Sequence, residues 1–339
     1  QAKIEPGNIN CVQISPTLQA TKSNYLQVHN GKKPKYLSYF FNNRKKLIID
    51  QLQSEQGARF YKKRNRNIII EIKEDLEIDN DFRWMTLNQI VELMNIDNCV
   101  NMDTRTVISN LLLFRSISIN DNREPLNSFN QIVYWMTNLK TKYELNVTKI
   151  NLNRISQWIK TDEKIYHKKH KYFEIIPLKV TIEGRELKSW TQPMIKSKQE
   201  GICAFILKRI KGLTHVLVQG KVECGNFDII EMSPTVQCLT DNYLGESSQN
   251  LPYLKYVLEA KESEIIYDVF QSEEGGRFYK EQNRNLLIVV DDDFDNNVPE
   301  NYIWMTLSQI QKFLMFNNFF NIQARSLISA LVTKENEFN

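Results

Sequence analysis

The chain writes one long pattern twice, and this repetition restricts its fold more than any other feature. Gln1-Ala-Lys3-Ile-Glu5-Pro-Gly7-Asn8 returns as Gln219-Gly-Lys221-Val-Glu223-Cys-Gly225-Asn226. Ser15-Pro-Thr17-Leu-Gln19 returns as Ser233-Pro-Thr235-Val-Gln237, and Asn24-Tyr25 as Asn242-Tyr243. Gln53-Ser-Glu55-Gln-Gly57-Ala-Arg59-Phe60-Tyr61 matches Gln271-Ser-Glu273-Glu-Gly275-Gly-Arg277-Phe278-Tyr279. Asn65-Arg-Asn67 matches Asn283-Arg-Asn285, and Trp84-Met-Thr86-Leu87 matches Trp304-Met-Thr306-Leu307. The register slips by two residues after the Asn-Arg-Asn block, which puts a small insertion in the acidic, turn-like stretch 291–300. The spacing is far beyond the ~20–50 residues of a solenoid unit, so a whole domain is repeated in tandem. A length of 339 residues agrees, because single cores stop growing at roughly 250–300.

The expected division is a first repeat over 1–118, a helical connector over 119–165 and a second repeat over 166–339. Residues 127–218 stand ahead of the Gln219 block, whereas the first repeat opens in mid-motif. We therefore expect a longer parent chain that completes the first repeat, and the main active site in the second. Alternating and β-branched residues predict strands over 172–182, 201–208, 213–222 and 228–238, with a buried strand over 285–291. Helical spacing of Leu254, Val257, Leu258, Ile265, Ile266 and Val269 predicts a helix over 251–273 that stops at Gly275-Gly276. A capping box at Thr306 and Gln309 opens a helix over 306–317, and a closing helix covers 324–332. Residues 129–139 predict an amphipathic helix with an aromatic face (Phe129, Tyr134, Trp135), and 152–159 a second short helix. Each unit reads as α+β, a mixed sheet flanked by helices.

Composition narrows the partners. No apolar run approaches the ~18 residues of a membrane span, so a soluble protein with no membrane partner is expected. The formal charge of +4 suits a small anionic ligand and lacks the dense basic character of a nucleic-acid binder. Five cysteines form no CxxC pair and are odd in number, as in a reduced, cytoplasmic protein without a zinc site. There is no GxGxxG after a strand and no GxxxxGK[ST] loop, so no cofactor is expected.

The ordered, doubled blocks, together with His167, Trp190-Thr-Gln192-Pro193 and Ala324-Arg325-Ser326, resemble the NDP-hexose 2,3-dehydratase family over essentially the whole chain. The resemblance implies a homodimer whose subunit is a tandem duplication of a Nudix-like domain. It implies a lyase that removes the C2 hydroxyl of a dTDP-linked 4-keto-6-deoxyhexose and feeds a 3-ketoreductase. The Glu273-Glu274-Gly275-Gly276 tail is similar to the end of a Nudix box. The metal-binding Arg-Glu pair that should precede it is Val269-Phe270, and Gln56 replaces the second carboxylate in the first repeat. Magnesium needs converging carboxylates, so no catalytic metal is expected. Two other readings stay open: a Nudix-type diphosphate hydrolase, and a nucleotide-sugar binding module without turnover.

Loss of the C3 proton next to a C4 ketone, followed by departure of the C2 hydroxyl, needs a base, an acid and positive or N–H groups near the enolate. Lys221 and Glu223 alternate on one strand face beside Gln219. They read as enolate or phosphate partner and base, or equally as a solvated ion pair; Lys3 and Glu5 are their mates. Arg277 and Arg59 follow the glycine turns, where a guanidinium forks onto a diphosphate or forms a structural ion pair. Arg325 and Arg105 are further diphosphate or dimer-contact candidates. Tyr243, with its mate Tyr25, and His167 are proton-donor candidates whose alternatives are a packed tyrosine and a solvated histidine. Trp304 and Trp84 read as thymine-stacking or core residues. Gln53, Gln271, Ser272, Glu273 and Asn226 are ligand contacts or turn caps.

Overall fold

The computed structural model describes all residues except Cys11, 21–32, 42–45, 112–122, 184–187, 240–250 and 339, and no side chains beyond 331. Tyr25 and Tyr243 lie outside the described residues. The first repeat begins with a short antiparallel ladder, β1 (Ala2–Lys3) and β2 (Gln13–Ile14). After α1 (Leu37–Phe41), β3 (Lys46–Ser54) and β4 (Arg64–Glu71) form an antiparallel pair. Helices α2 (Leu87–Leu93) and α3 (Met102–Ser109) close the repeat, each begun by a side-chain cap, Thr86 and Asn101.

Between the repeats runs α4 (Phe129–Lys142), begun by a capping box of Ser128 and Gln131. Its buried stripe is Ile132, Met136 and Leu139, while Tyr134 is exposed. Of the expected aromatic face, Phe129 stacks on Phe313 and Trp135 packs beside the aliphatic stripe at i, i+4, i+7, whereas Tyr134 does not. The expected helix over 152–159 is a 3-10 turn (Leu152–Arg154) followed by a strand, because Trp158 and Ile159 pair into a sheet. That sheet is antiparallel and four-stranded: β5 (Trp158–Lys160), β6 (Ile165–His167), β7 (Phe173–Thr181) and β8 (Ser189–Ser197).

The second repeat is built on a seven-stranded mixed sheet. Its strands are β9 (Gly201–Ile210), β10 (Leu213–Val222), β11 (Ile230–Ser233), β12 (Val236–Leu239), β13 (Ile265–Ser272), β14 (Gln282–Val290) and β15 (Tyr302–Thr306). The order is β11-β10-β9-β14-β13, with β12 also on β9 and β15 on β10; only β14 and β9 run parallel. Both faces are covered, which explains the unbroken apolar run Ile202–Leu207. Phe205 and Leu207 pack with α4 and with helices α6 (Leu307–Leu314) and α7 (Ile322–Phe338), whereas Ala204 and Ile206 face Leu254, Val257 and Trp304. The Thr306–Gln309 capping box forms as expected. Among the described residues no helix is long and apolar enough to cross a membrane.

Two strand and helix expectations are corrected. The strand expected over 228–238 is two strands broken at Pro234, which lacks the N–H for a continuous ladder. The helix expected over 251–273 shrinks to α5 (Leu254–Leu258) and a 3-10 turn, and 265–272 is β13. Ile265, Ile266, Tyr267, Val269 and Phe270 are β-branched or aromatic, and pairing with β14 outweighs the weak helical spacing. The Glu273–Gly276 tail therefore follows a strand, and its likeness to a Nudix helix end does not hold.

The repeats exchange contacts reciprocally. Gly7 N–H donates to the Gly275 carbonyl and Gly225 N–H to the Gly57 carbonyl, both at 2.8 Å. Lys280 N–H returns to Gly7 O and Lys62 N–H to Gly225 O, again at 2.8 Å. Phe60 meets its own counterpart Phe278 edge-on at 5.9 Å, and contact between equivalent residues marks a two-fold, isologous arrangement. Side chains repeat the exchange: Gln13 Nε2 donates to Ser272 Oγ at 2.7 Å, and Ser54 Oγ to Glu231 at 2.6 Å. Buried Arg105 donates to Ser272 O at 2.8 Å, to Gln271 at 3.1 Å and to Val100 O. Buried Arg325 donates to Ser54 O and Phe320 O. Burial pulls both guanidinium pKa values down to about 10.

Two stability predictions follow from these contacts. Arg105→Met leaves buried carbonyls unpaired and should cost about 3 kcal/mol, read as a lower urea midpoint; a loss under about 0.5 kcal/mol would contradict the contact's importance. Burial pushes the Glu231 carboxyl up to about 7, against Ser54 and Arg325, which lower it. Its folded pKa lies above the ordinary 4.5, so stability is fully present below that pH and is lost as pH rises through 7. The first repeat carries Gln13 at this place. Glu231→Gln should therefore match the parent at pH 4.5 and exceed it at pH 8 by on the order of 2–3 kcal/mol; equal unfolding midpoints at both pH values would contradict this.

Candidate functional site

The reciprocal packing makes two composite sites, and neither repeat holds its own. In the first, strand β1 and the turn after it bring Lys3, Glu5 and Asn8 onto the Glu274-Gly275-Gly276 turn of the second repeat. In the other, Lys221, Glu223 and Asn226 lie on the Gln56-Gly57 turn of the first. The second repeat, expected to carry the main active site, supplies Lys221, Glu223 and Asn226 to one of these places and the Glu274 turn to the other. Bare glycines make the approach possible. A Cβ on Gly7 would fall 1.7 Å from the Phe278 carbonyl, and one on Gly225 1.8 Å from that of Phe60.

Lys3 and Glu5 pair at 3.1 Å, and Lys221 and Glu223 at 3.9 Å. Lys221 Nζ also donates to the Gln237 carbonyl at 2.7 Å. Gln19 Nε2 reaches Glu5 at 3.5 Å and Gln237 Nε2 reaches Glu223 at 3.2 Å. These amides are held in turn by Asn101 and Asn321 at 3.4 and 2.7 Å. Glu5 and Asn8 are 7% and 8% exposed, with Glu223 and Asn226 alike. Yet Oε2 of both glutamates and both amide atoms of both asparagines have no hydrogen-bond partner within the protein. Buried polar atoms are ordinarily paired, so the same unpaired set in both places points to a ligand.

The sites differ in what surrounds that set. Gln19 also donates to Asp103, whereas the counterpart of Asp103 is Gln323. The Glu274 of one turn is Gln56 in the other. Burial, then the Glu55 charge, pushes Glu274 up to about 7. Burial and the charges of Glu274, Glu55 and Glu5 hold Asp103 well above its usual range. The four-stranded sheet adds to this first site: Gln192 Nε2 donates to Gly276 O at 3.0 Å, and Trp190 to Gln192 at 2.6 Å. Arg277 stands half-buried on the same turn, and its charge opposes the rise at Glu274. Arg59 lies over the Phe173 ring at 4.7 Å.

Several expected ligand residues make hydrogen bonds within the protein. Arg105 and Arg325 donate to backbone carbonyls between the repeats. Gln219 bonds the Tyr302 hydroxyl and Ser233, and Gln271 bonds Met94 O and the Tyr267 hydroxyl. Gln53 donates to Gln51, and Ser272 accepts from Gln13. Glu273, pushed up to about 8 by burial and by Glu281, accepts from Asn283 at 2.5 Å and Gln56 at 3.3 Å. Trp304 is 1% exposed against Phe294 in the core, whereas Trp84 is 66% exposed. His167 is not solvated. It is buried among Trp158 and Tyr172, and its Nδ1 accepts from Lys169 N–H. Asp103, Glu274, Gln19, Asn8 and Gln192 had not been singled out as site residues. The signal for the first two was a carboxylate in one repeat facing an amide in the other. Among the described residues no group of three or more His, Cys, Asp or Glu is placed to hold a metal ion.

A family model for NDP-hexose 2,3-dehydratases matches residues 1–111 and 129–331. The dTDP-4-dehydro-6-deoxy-alpha-D-glucopyranose 2,3-dehydratase of Saccharopolyspora spinosa is 42% identical, over 97% of this chain and 72% of its own length. That of Streptomyces violaceoruber is 40% identical, over 98% of this chain and 76% of its own. Among solved structures, C. elegans Ap4A hydrolase aligns with a TM-score of 0.27 at 13% identity, over 42% of this chain and 98% of that one, too little to carry an argument about fold. The composite sites thus lie in a chain matched by that family along both repeats, and it belongs to the NDP-hexose 2,3-dehydratase family, enzymes of the carbon–oxygen lyase kind.

Proposed function

We propose that this chain removes the C2 hydroxyl of a dTDP-linked 4-keto-6-deoxyhexose, on the way to 2,6-dideoxysugars. Family membership supports the reaction, and the substrate is the one named for the relatives. The observation that carries the site is the Lys3–Glu5 pair at the end of β1: Glu5 Oε1 meets Lys3 and lies over Gly276, while its buried Oε2 has no partner within the protein. Glu5 takes the C3 proton, which the neighbouring ketone acidifies. Lys3 stands beside the C4 oxygen as negative charge develops there. The electron pair then forms the C2–C3 double bond as the C2 hydroxyl departs with a proton, leaving water and an enol that relaxes to the 3,4-diketo sugar. Substrate and product plus water are at the same oxidation level overall, so the chemistry calls for no redox partner. Arg277 and Arg59 are the diphosphate partners in this reading, and Lys221 with Glu223 form the second ligand site.

The two units further read as tandem copies of a Nudix-like domain, near 1–118 and 166–339, with 119–165 as connector. The repeated motifs and the mixed sheet flanked by helices support this. A homodimer in the cytoplasm, passing its diketo product to a 3-ketoreductase, completes the proposal. Incubation with dTDP-4-keto-6-deoxyglucose should give loss of one water by mass spectrometry, and trapping by a 3-ketoreductase with NADPH. Lys3→Ala and Glu5→Gln should each slow this by roughly a hundredfold or more. Magnesium-dependent release of dTMP without dehydration would instead favour a hydrolase, and tight binding of the sugar nucleotide without turnover a binding module.

A further inference from the structure

An elimination needs two proton-handling groups, and Lys3–Glu5 supplies one carboxylate. We propose that Glu274 is the acid that protonates the departing C2 hydroxyl. This rests on the dehydratase reading. The Glu5 and Glu274 carboxylates converge over one bare backbone position: Oε1 of each lies 3.5 Å from where a Cβ on Gly276 would stand. Glu274 Oε2 has no hydrogen-bond partner within the protein, and neither have Glu5 Oε2 and the Asn8 amide beside it. Buried polar atoms are ordinarily paired, so this shared lack of partners points to a polar ligand.

The surroundings suit a protonated carboxyl. Glu55 and Glu5 face Glu274 and favour its neutral form, Lys63 and Arg277 oppose them, and burial outweighs all four. Asp103, on α3, adds another carboxylate and is held by the Gln19 amide. Two carboxylates in unlike environments divide into a base and an acid. Here Glu5 sits against the Lys3 ammonium, whereas Glu274 sits among carboxylates. In the reaction the C3 proton passes to Glu5. The C2–O bond then breaks with its electron pair on oxygen, and the Glu274 proton completes the water. The counterpart of Glu274 in the other composite site is Gln56 and that of Asp103 is Gln323. An amide cannot deliver that proton, so the elimination belongs to the site of Lys3 and Glu5.

The test separates proton removal from elimination. Glu274→Gln keeps the size of the side chain and installs the residue that the first repeat carries, so the fold is expected to stand, checked by dTDP binding. In D2O the variant should still exchange the C3 hydrogen of dTDP-4-keto-6-deoxyglucose for deuterium, while water loss falls by about 10²–10⁴-fold. In the parent, turnover should decline as pH rises above about 7; Glu274→Asp, which keeps a carboxyl, should retain that decline and part of the rate. Dehydration within about threefold of the parent in Glu274→Gln, or loss of exchange together with dehydration while dTDP still binds, overturns the assignment. Should Glu274→Gln fail to bind dTDP, the Asp variant decides: a rate that no longer declines above pH 7 overturns the assignment as well. A parent protein that neither exchanges nor dehydrates would instead overturn the dehydratase reading itself.

Discussion

Two glycines carry the architecture. Gly7 and Gly225 each lay their backbone directly on the turn of the opposite repeat, donating one hydrogen bond and accepting another. No side chain fits there, because a β-carbon would sit inside a carbonyl's van der Waals radius. Around these contacts the buried arginines 105 and 325 tie the ends of β13 and β3 to helices of the other repeat. Fully buried guanidiniums are costly unless their hydrogen bonds are made. Their carbonyl partners therefore fix how the repeats meet, and the residues facing the turns follow from that.

Exchange of this kind has a chemical consequence. Each site takes its strand from one repeat and its turn from the other, so the two can diverge independently. One has kept carboxyls at 103 and 274, where the other has amides at 323 and 56. Burial, with neighbouring carboxylates, raises the pKa of both carboxyls, whereas an amide does not titrate. The four-stranded sheet strengthens the difference by placing Gln192 and Trp190 on the Gly276 turn alone.

Much of this was legible in the sequence. The capping box at Thr306 and Gln309 gave a helix start correctly, because that signal is local. The strand 265–272 was misread, since Ile265, Ile266 and Val269 fit either period in a short window and only pairing with β14 decides. Several residues repeated in both copies read as ligand candidates. Repetition equally marks the contact between the copies, where Arg105, Arg325 and Ser272 make their hydrogen bonds. Trp84 and Trp304 are the same residue in the repeat, yet one is exposed and one is core, because Trp304 lies on β15, opposite Leu217 of β10, and packs on Phe294. Asp103 and Glu274 are not legible as site residues from one repeat alone, because each meets the other repeat's residues only through the packing of the two.

The central claim is that each site joins opposite repeats, and hydrogen–deuterium exchange with and without dTDP tests it directly. The account predicts that ligand protects amides at 3–8 together with 272–278, or 221–226 together with 54–60. Protection confined to one repeat, with 221–226 and 272–278 slowed together while 3–8 and 54–60 are unchanged, would contradict it.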